Sequence, residues 1–140
     1  MDKKILFFDD EKDIAVILKD NLELFGYYVK LVSSIVDLLE EIEREDIDYD
    51  LAIMDIMAPI PHDEIYKHFS SDEITNMSEG MRVGEVLVNR IRQKGKYSNI
   101  PVLIYTARSE VKSFSNCRVI KKPALCKDVM VEIEKLLKTE

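Results

Sequence analysis

Short apolar runs, each bounded by polar or turn residues, recur along the chain at intervals that leave room for a helix between them. The most compact run is Leu51–Met54, and its polar flanks are typical of a strand buried on both faces of a parallel sheet. The other runs are rich in β-branched and aromatic residues, which also suit strands. The predicted strands are Ile5–Phe8, Tyr27–Val32, Leu51–Met54, Pro101–Tyr105 and Cys117–Lys121.

Between these runs, apolar residues fall at the spacing of helices with one buried face. Ser34 is a suitable N-cap for the second helix, and Gly26 and Gly95 are suitable ends for the first and third. Because strands and helices alternate, we expect a doubly wound parallel α/β sheet with right-handed crossovers and helices on both faces. The apolar stripes are Ile14, Ala15, Ile17, Leu18, Leu22 and Phe25; Ile35, Leu38, Leu39 and Ile42; Val83, Val86, Leu87 and Ile91; and Val129, Met130, Ile133, Leu136 and Leu137.

Two segments interrupt this alternation. The first, residues 60–82, follows the third strand and predicts a loop with one short helix, because Ser70 and Glu73 have the spacing of a capping box. The second, Ala107–Asn116, lies between the fourth and fifth strands and is short for a full helix and its crossover.

Composition narrows the possible functions. A chain of 140 residues with 46% hydrophobic and 34% charged residues is expected to form one soluble domain, residues 1–140. The net charge of -7 argues against nucleic acid and anionic membranes as partners, and no apolar run is long enough to span a membrane. We therefore expect a cytoplasmic protein in which Cys117 and Cys126 are reduced structural thiols.

Polar side chains follow four of the predicted strands. These are Asp9 and Asp10, Asp55, Thr106, and Lys122. In an open parallel sheet they share one crevice outside the carboxyl ends of the strands. Three carboxylates repel one another unless a cation joins them, and Mg²⁺ is the hard oxygen-seeking ion that suits them.

With that ion bound, Asp55 can attack phosphorus as a carboxylate nucleophile and form an aspartyl phosphate. Lys122 would then pair with the phosphoryl oxygens, and Thr106 would donate a hydrogen bond to them. A simpler interpretation remains open for single residues, namely that Asp55 caps the following loop and that Asp10 caps the first helix.

At these residues the chain resembles the receiver domain of two-component response regulators. The shared features are Asp9-Asp10, Asp55 followed by Pro59, Thr106-Ala107, and Lys122-Pro123, in this order along nearly the whole chain. The resemblance implies a flavodoxin-like fold of five strands, and phosphorylation of Asp55 by a histidine kinase or phosphotransfer protein. It also implies Mg²⁺ bound mainly by Asp10 and Asp55 with help from Asp9 and the Met57 carbonyl. The family motif gives the lysine role to Lys122 and not to Lys121.

The chain departs from the family at three places. Pro59 and Gly84 are separated by 24 residues where the family has only a few, which predicts an insertion at about residues 60–82. The short interval from Thr106 to Lys122 predicts that the family's fourth helix is shortened or missing. Many members place a switching aromatic residue on the fifth strand, where this chain has Val119. We therefore hypothesise that the insertion senses or transmits the state of Asp55.

The residues leave several alternatives to weigh. In the insertion, His62, Asp63, Glu64 and His68 match no established metal-site spacing, and a solvated loop is the preferred interpretation. The leading functional hypothesis is a stand-alone receiver that signals by protein docking. A second is a receiver-like module that binds its partner constitutively without cycling phosphate. A phosphatase is disfavoured, because Met57 stands where such an enzyme needs a second aspartate, so the chain is predicted not to be an enzyme.

Overall fold

A parallel sheet of five strands forms the centre of the computed structural model, which describes residues 2–55, 69–78, 83–107 and 115–138. The strand order is β2-β1-β3-β4-β5, and every neighbouring pair is parallel. All carboxyl ends therefore lie along one edge of the sheet, as the alternating pattern predicted. The strands are β1 (Lys4–Phe8), β2 (Tyr28–Val32), β3 (Leu51–Met54), β4 (Val102–Thr106) and β5 (Cys117–Lys121).

Helices cover both faces of the sheet, which confirms the doubly wound arrangement. Alternate residues of β1 enter different hydrophobic clusters: Ile5 and Phe7 pack with α1 and α5, whereas Leu6 and Phe8 pack with α2 and α4. All four residues of β3 are fully buried, as expected of a central strand. The helices are α1 (Lys12–Leu24), α2 (Ile35–Ile42), α3 (Ser71–Ser78), α4 (Val83–Arg92) and α5 (Cys126–Lys138), with a short 3₁₀ helix at Gly95–Tyr97.

Local signals in the sequence fix several helix ends. The hydroxyl of Ser34 accepts a hydrogen bond from the Asp37 amide at 3.1 Å, which confirms it as the N-cap of α2. Gly26 has φ +98° directly after α1, a left-handed conformation that favours glycine. Gly95 behaves differently from the prediction, because α4 ends at Arg92 and Gly95 begins the 3₁₀ helix.

The described part of the predicted insertion contains the expected short helix. Ser70 and Glu73 form a capping box at the start of α3, with hydrogen bonds of 2.8 and 3.1 Å between the side chain of each and the backbone amide of the other. Phe69 is buried with the residues of α4, and Ile74 packs against the same cluster. Arg90 of α4 lies 5.0 Å from the centre of the Phe69 ring and 3.4 Å from Glu73. The start of the helix is therefore tied to the domain.

The apolar stripe predicted for α1 is only partly buried. Ala15, Leu18 and Leu22 face the sheet, whereas Ile14 and Ile17 are 63% and 62% exposed. Phe25, just beyond the helix, is also exposed. The stripe covers too wide an arc of the helix to be buried by one sheet, so its flank faces solvent.

Three further predictions concern the cysteines, membrane-spanning segments and the two irregular segments. Cys117 and Cys126 are free thiols, as expected. None of the helices in the described ranges is long and apolar enough to cross a membrane. Residues 108–114, where the shortened helix was predicted, and residues 56–68 and 79–82 of the insertion region lie outside the described residues.

Candidate functional site

Asp9 and Asp55 lie side by side at the carboxyl edge of the sheet. Each directly follows its strand, and the register pairs Phe8 of β1 with Met54 of β3. The ladder continues one step further, because the Asp55 amide donates to the Phe8 carbonyl at 3.0 Å. The two residues are 1% and 2% exposed, and carboxylates buried this deeply in proteins are almost always paired.

Asp10 joins them to complete the predicted acidic cluster. Oxygen atoms of Asp9, Asp10 and Asp55 lie within 4.8 Å of one another. The alternative that Asp10 caps α1 is wrong, since Glu11 occupies the N-cap position and no side chain caps the helix there. The Asp9 carboxylate instead stabilises the turn before α1, where it accepts a hydrogen bond from the Glu11 amide at 2.9 Å.

Lys122 brings positive charge to this cluster. Its Nζ donates to Asp9 Oδ2 at 2.9 Å and lies 3.7 Å from Asp55 Oδ2. Burial on its own would lower the pKa of Lys122, but the hydrogen bond to Asp9 and the charges of Asp55 and Asp9 outweigh it and raise that pKa. Lys121, the competing candidate, is the exposed last residue of β5.

Thr106 is the last residue of β4 and is fully buried. Its carbonyl accepts a hydrogen bond from the Lys122 amide at 2.6 Å, so the ends of β4 and β5 are held together. Because β4 also pairs with β3, Thr106 lies at the same edge as Asp55. The structure therefore gathers the four predicted strand ends at one site.

The site fits a hard divalent cation. Three carboxylates against one ammonium leave an excess of negative charge among these described residues. Oxygen donors at this spacing match the ligand preference of Mg²⁺. The Met57 carbonyl, which was also predicted as a ligand, lies outside the described residues, as do Pro59 and the four insertion residues His62, Asp63, Glu64 and His68.

One residue of the site was not anticipated. The ring of Tyr105, directly before Thr106, has its centre 4.9 Å from Lys122 Nζ. The sequence predicts this tyrosine only as a residue of the fourth strand. Its position directly before Thr106 could have indicated this, because the residue before a strand end also lies next to the crevice.

Solved structures with this fold include several receiver domains. The chemotaxis protein CheY4 of Vibrio cholerae matches with a TM-score of 0.74 at 18% identity, covering 98% of this chain and 100% of that chain. The receiver domain of a sensor histidine kinase of Pseudomonas aeruginosa, with a magnesium ion in its active site cleft, matches with a TM-score of 0.72 at 17% identity, covering 99% of each chain.

A third structure, a CheY-like response regulator receiver domain of Methanospirillum hungatei, has a TM-score of 0.67 at 22% identity and covers 99% of this chain and 96% of that chain. These matches confirm the receiver fold predicted from the sequence, a flavodoxin-like sheet of five parallel strands.

Sequence comparison gives one partial match. The alkaline phosphatase synthesis transcriptional regulatory protein PhoP of Bacillus subtilis is 42% identical over 59 residues. The match covers 42% of this chain and 24% of PhoP, so it spans about a quarter of the relative's length. No protein family model matches the chain.

Proposed function

We propose that this chain is a phosphoacceptor receiver domain of a two-component signal transduction system, phosphorylated on Asp55. The observation that carries the proposal is the position of Asp55. Its carboxylate is almost fully buried at the strand edge, 3.7 Å from the Lys122 ammonium and beside two further carboxylates. A single structural capping role for Asp55 gives no reason for this combination of groups.

The proposed reaction is a phosphoryl transfer to a carboxylate. One Asp55 oxygen forms a bond to phosphorus, the bond from phosphorus to the donor breaks, and the donor departs with that electron pair. Lys122 moves from Asp9 toward the transferred phosphoryl oxygens, whose charge it balances, and the Thr106 hydroxyl donates a hydrogen bond to them. Mg²⁺ bound by Asp9, Asp10, Asp55 and the Met57 carbonyl would neutralise the carboxylates and the phosphoryl group.

The phosphoryl donor we propose is a histidine kinase or a phosphotransfer protein, with signalling by docking to a downstream protein. The exposed Ile14 and Ile17 on α1 add apolar surface that a protein partner can cover. A phosphatase is disfavoured for the reason given by the sequence, namely Met57 at the place of a second acid. The chain is therefore proposed to be a signalling domain and not an enzyme.

The competing function is a constitutive binding module that no longer cycles phosphate. The insertion after β3 and the short interval between β4 and β5 favour it, because both depart from the family pattern at the usual signalling face. The intact set of Asp55, Lys122 and Thr106 disfavours it. The two functions differ in whether Asp55 accepts a phosphoryl group.

Incubation with acetyl phosphate and Mg²⁺, followed by measurement of the intact mass, tests the proposal. We expect one phosphoryl adduct on the wild type, none without Mg²⁺, and none on Asp55→Asn. Asp48→Asn is the matched control, since Asp48 is exposed and pairs with Lys96 away from the crevice. Absence of any adduct on the wild type, while a known receiver is labelled in parallel, would leave the constitutive module as the better account.

A further inference from the structure

The Lys122 ammonium has an aromatic neighbour as well as acidic ones. The Tyr105 ring centre lies 4.9 Å away, within the distance at which a cation is attracted to the face of an aromatic ring. The two acidic contacts are to Asp9 at 2.9 Å and to Asp55 at 3.7 Å. The ammonium therefore lies among two carboxylates and a ring.

The position of the ring is fixed by its surroundings. Tyr105 pairs in register with Ile120 of β5 and packs half-buried against the cluster beneath α1 and α5. Burial raises the pKa of its hydroxyl, so the phenol is uncharged at neutral pH. Because β4 holds the ring in place, the ring offers a fixed contact to the flexible Lys122 side chain.

We propose that Tyr105 is a positioning residue for Lys122 in phosphoryl transfer; this inference rests on the proposed function. Lysine carries its charge on a flexible stem with large rotamer freedom, so its ammonium needs contacts that restrict it. The contact with Asp9 is directional and must loosen when Lys122 turns to a phosphoryl oxygen. Attraction to the ring face is less directional and persists to about 6 Å. The ring therefore retains the ammonium at the crevice while its hydrogen-bond partner changes.

A packing role for Tyr105 makes a different prediction from a positioning role. Leucine retains much of the apolar volume but has no ring face, whereas phenylalanine keeps the ring and loses only the hydroxyl. If the ring acts through Lys122, its removal has no further effect once Lys122 itself is gone. A double-mutant cycle measures this dependence directly.

The experiment measures the rate of phosphorylation by acetyl phosphate at saturating Mg²⁺ for Tyr105→Leu, Tyr105→Phe, Lys122→Met and Tyr105→Leu/Lys122→Met. We expect Tyr105→Leu to be slower by about fivefold, the size of one moderate interaction of a cation with a ring. Tyr105→Phe should stay within about twofold of wild type, because it keeps the ring. In the Lys122→Met background, Tyr105→Leu should change nothing further.

Tyr27→Leu is the matched control, because Tyr27 is another partly buried tyrosine packed against the same cluster, without a described contact to Lys122. It should leave the rate unchanged.

NMR of the Lys122 side chain gives a second readout that needs no phosphate. Its ε-methylene protons should be shielded by the ring in wild type and Tyr105→Phe, and lose that shielding in Tyr105→Leu.

The outcomes separate this inference from the proposed function. An unlabelled wild type would overturn both. A labelled wild type with an unchanged rate in Tyr105→Leu would overturn the inference alone. So would an equal slowing by Tyr105→Leu with and without Lys122, since that result assigns the effect to packing.

Discussion

The two ends of the sheet each carry a polar cluster, and the clusters differ in how their charges are matched. At the amino end, the buried Glu41 accepts hydrogen bonds from Tyr49 at 2.5 Å and from Arg44 at 2.7 Å. At the carboxyl end, Asp9 and Asp55 are more deeply buried and lie with Asp10 against one lysine. Counting only described residues, the first cluster holds one arginine for its one buried acid, whereas the second holds one lysine for three acids.

We interpret this difference as the one between a structural cluster and the proposed functional site. Glu41 links the end of α2 to the residues before β3, and the Tyr97 hydroxyl adds a contact by accepting from the Tyr49 amide at 3.2 Å. Such a network stabilises the chain. Among the described residues of the carboxyl cluster the acids outnumber the cations, and an added divalent cation would offset that excess, as the proposed metal and phosphoryl site requires.

Of the changes considered, removing Lys122 should have the largest effect on the phosphorylation rate and on stability. Lys122→Met leaves the carboxyl cluster without its described cation, and we expect the phosphorylation rate to fall about 10²-fold. Breaking a mostly buried ion pair should also destabilise the protein by about 3 kcal/mol without Mg²⁺. Rates from intact mass and urea unfolding check both effects. A normal rate would show that Lys122 takes no part in the transfer.

Tyr49→Phe breaks the amino-end cluster instead. It removes the hydrogen bond to the buried Glu41, and we expect a loss of about 1–3 kcal/mol in the free energy of unfolding. Phosphorylation should proceed at the wild-type rate, because the change lies at the opposite end of the sheet. A large fall in rate with the fold intact would mean that the two ends are coupled, contrary to this comparison.

Asp10→Asn should bring the carboxyl-end cluster closer to the charge balance of the amino-end cluster. Lowering the negative charge of the carboxyl cluster should stabilise the protein by about 1 kcal/mol in the absence of Mg²⁺, because like charges are separated by only a few ångströms. The variant should also lose most of the thermal stabilisation that Mg²⁺ gives the wild type. Melting curves with Mg²⁺ and with EDTA measure both. Destabilisation by Asp10→Asn without metal would argue that the acids are not in conflict.

The smallest expected effect concerns pH at the amino end. The hydrogen bond from Arg44 lowers the pKa of Asp46. Asp46 therefore adds stability above its unfolded pKa, and this contribution is lost as the pH falls through its lower folded pKa. Asp46→Asn should be slightly less stable than wild type at neutral pH and equally stable in strong acid. Because this pair is solvent-exposed, the difference should be small. A difference that is constant with pH would assign the effect to something other than charge.

The sequence predicted which side chains meet at the carboxyl edge, because that placement follows from the strand ends. An apolar run that stops on Asp55, or on Thr106, places that side chain at the edge once the sheet is parallel. The capping residues Ser34, Gly26 and Ser70 were also predictable, because each acts over only a few residues of the chain.

The amino end and Tyr105 were missed for the opposite reason. Glu41 and Tyr49 meet through the packing of a helix end beside a strand, and Lys96 reaches carbonyls of Arg44 and Ile47 from a distant part of the chain. An aromatic residue in a strand indicates burial and does not reveal a lysine beside its ring. Periodicity likewise could not decide which flank of α1 the neighbouring elements leave exposed.

Locating the phosphoryl group on the chain would show directly whether Asp55 is the phosphoacceptor. The wild type would be treated with acetyl phosphate and Mg²⁺, reduced with borohydride to mark the acyl phosphate, digested, and mapped by mass spectrometry. We expect modification at Asp55 and at no other residue. Modification at Asp9 or Asp10, or no modification at all, would contradict it.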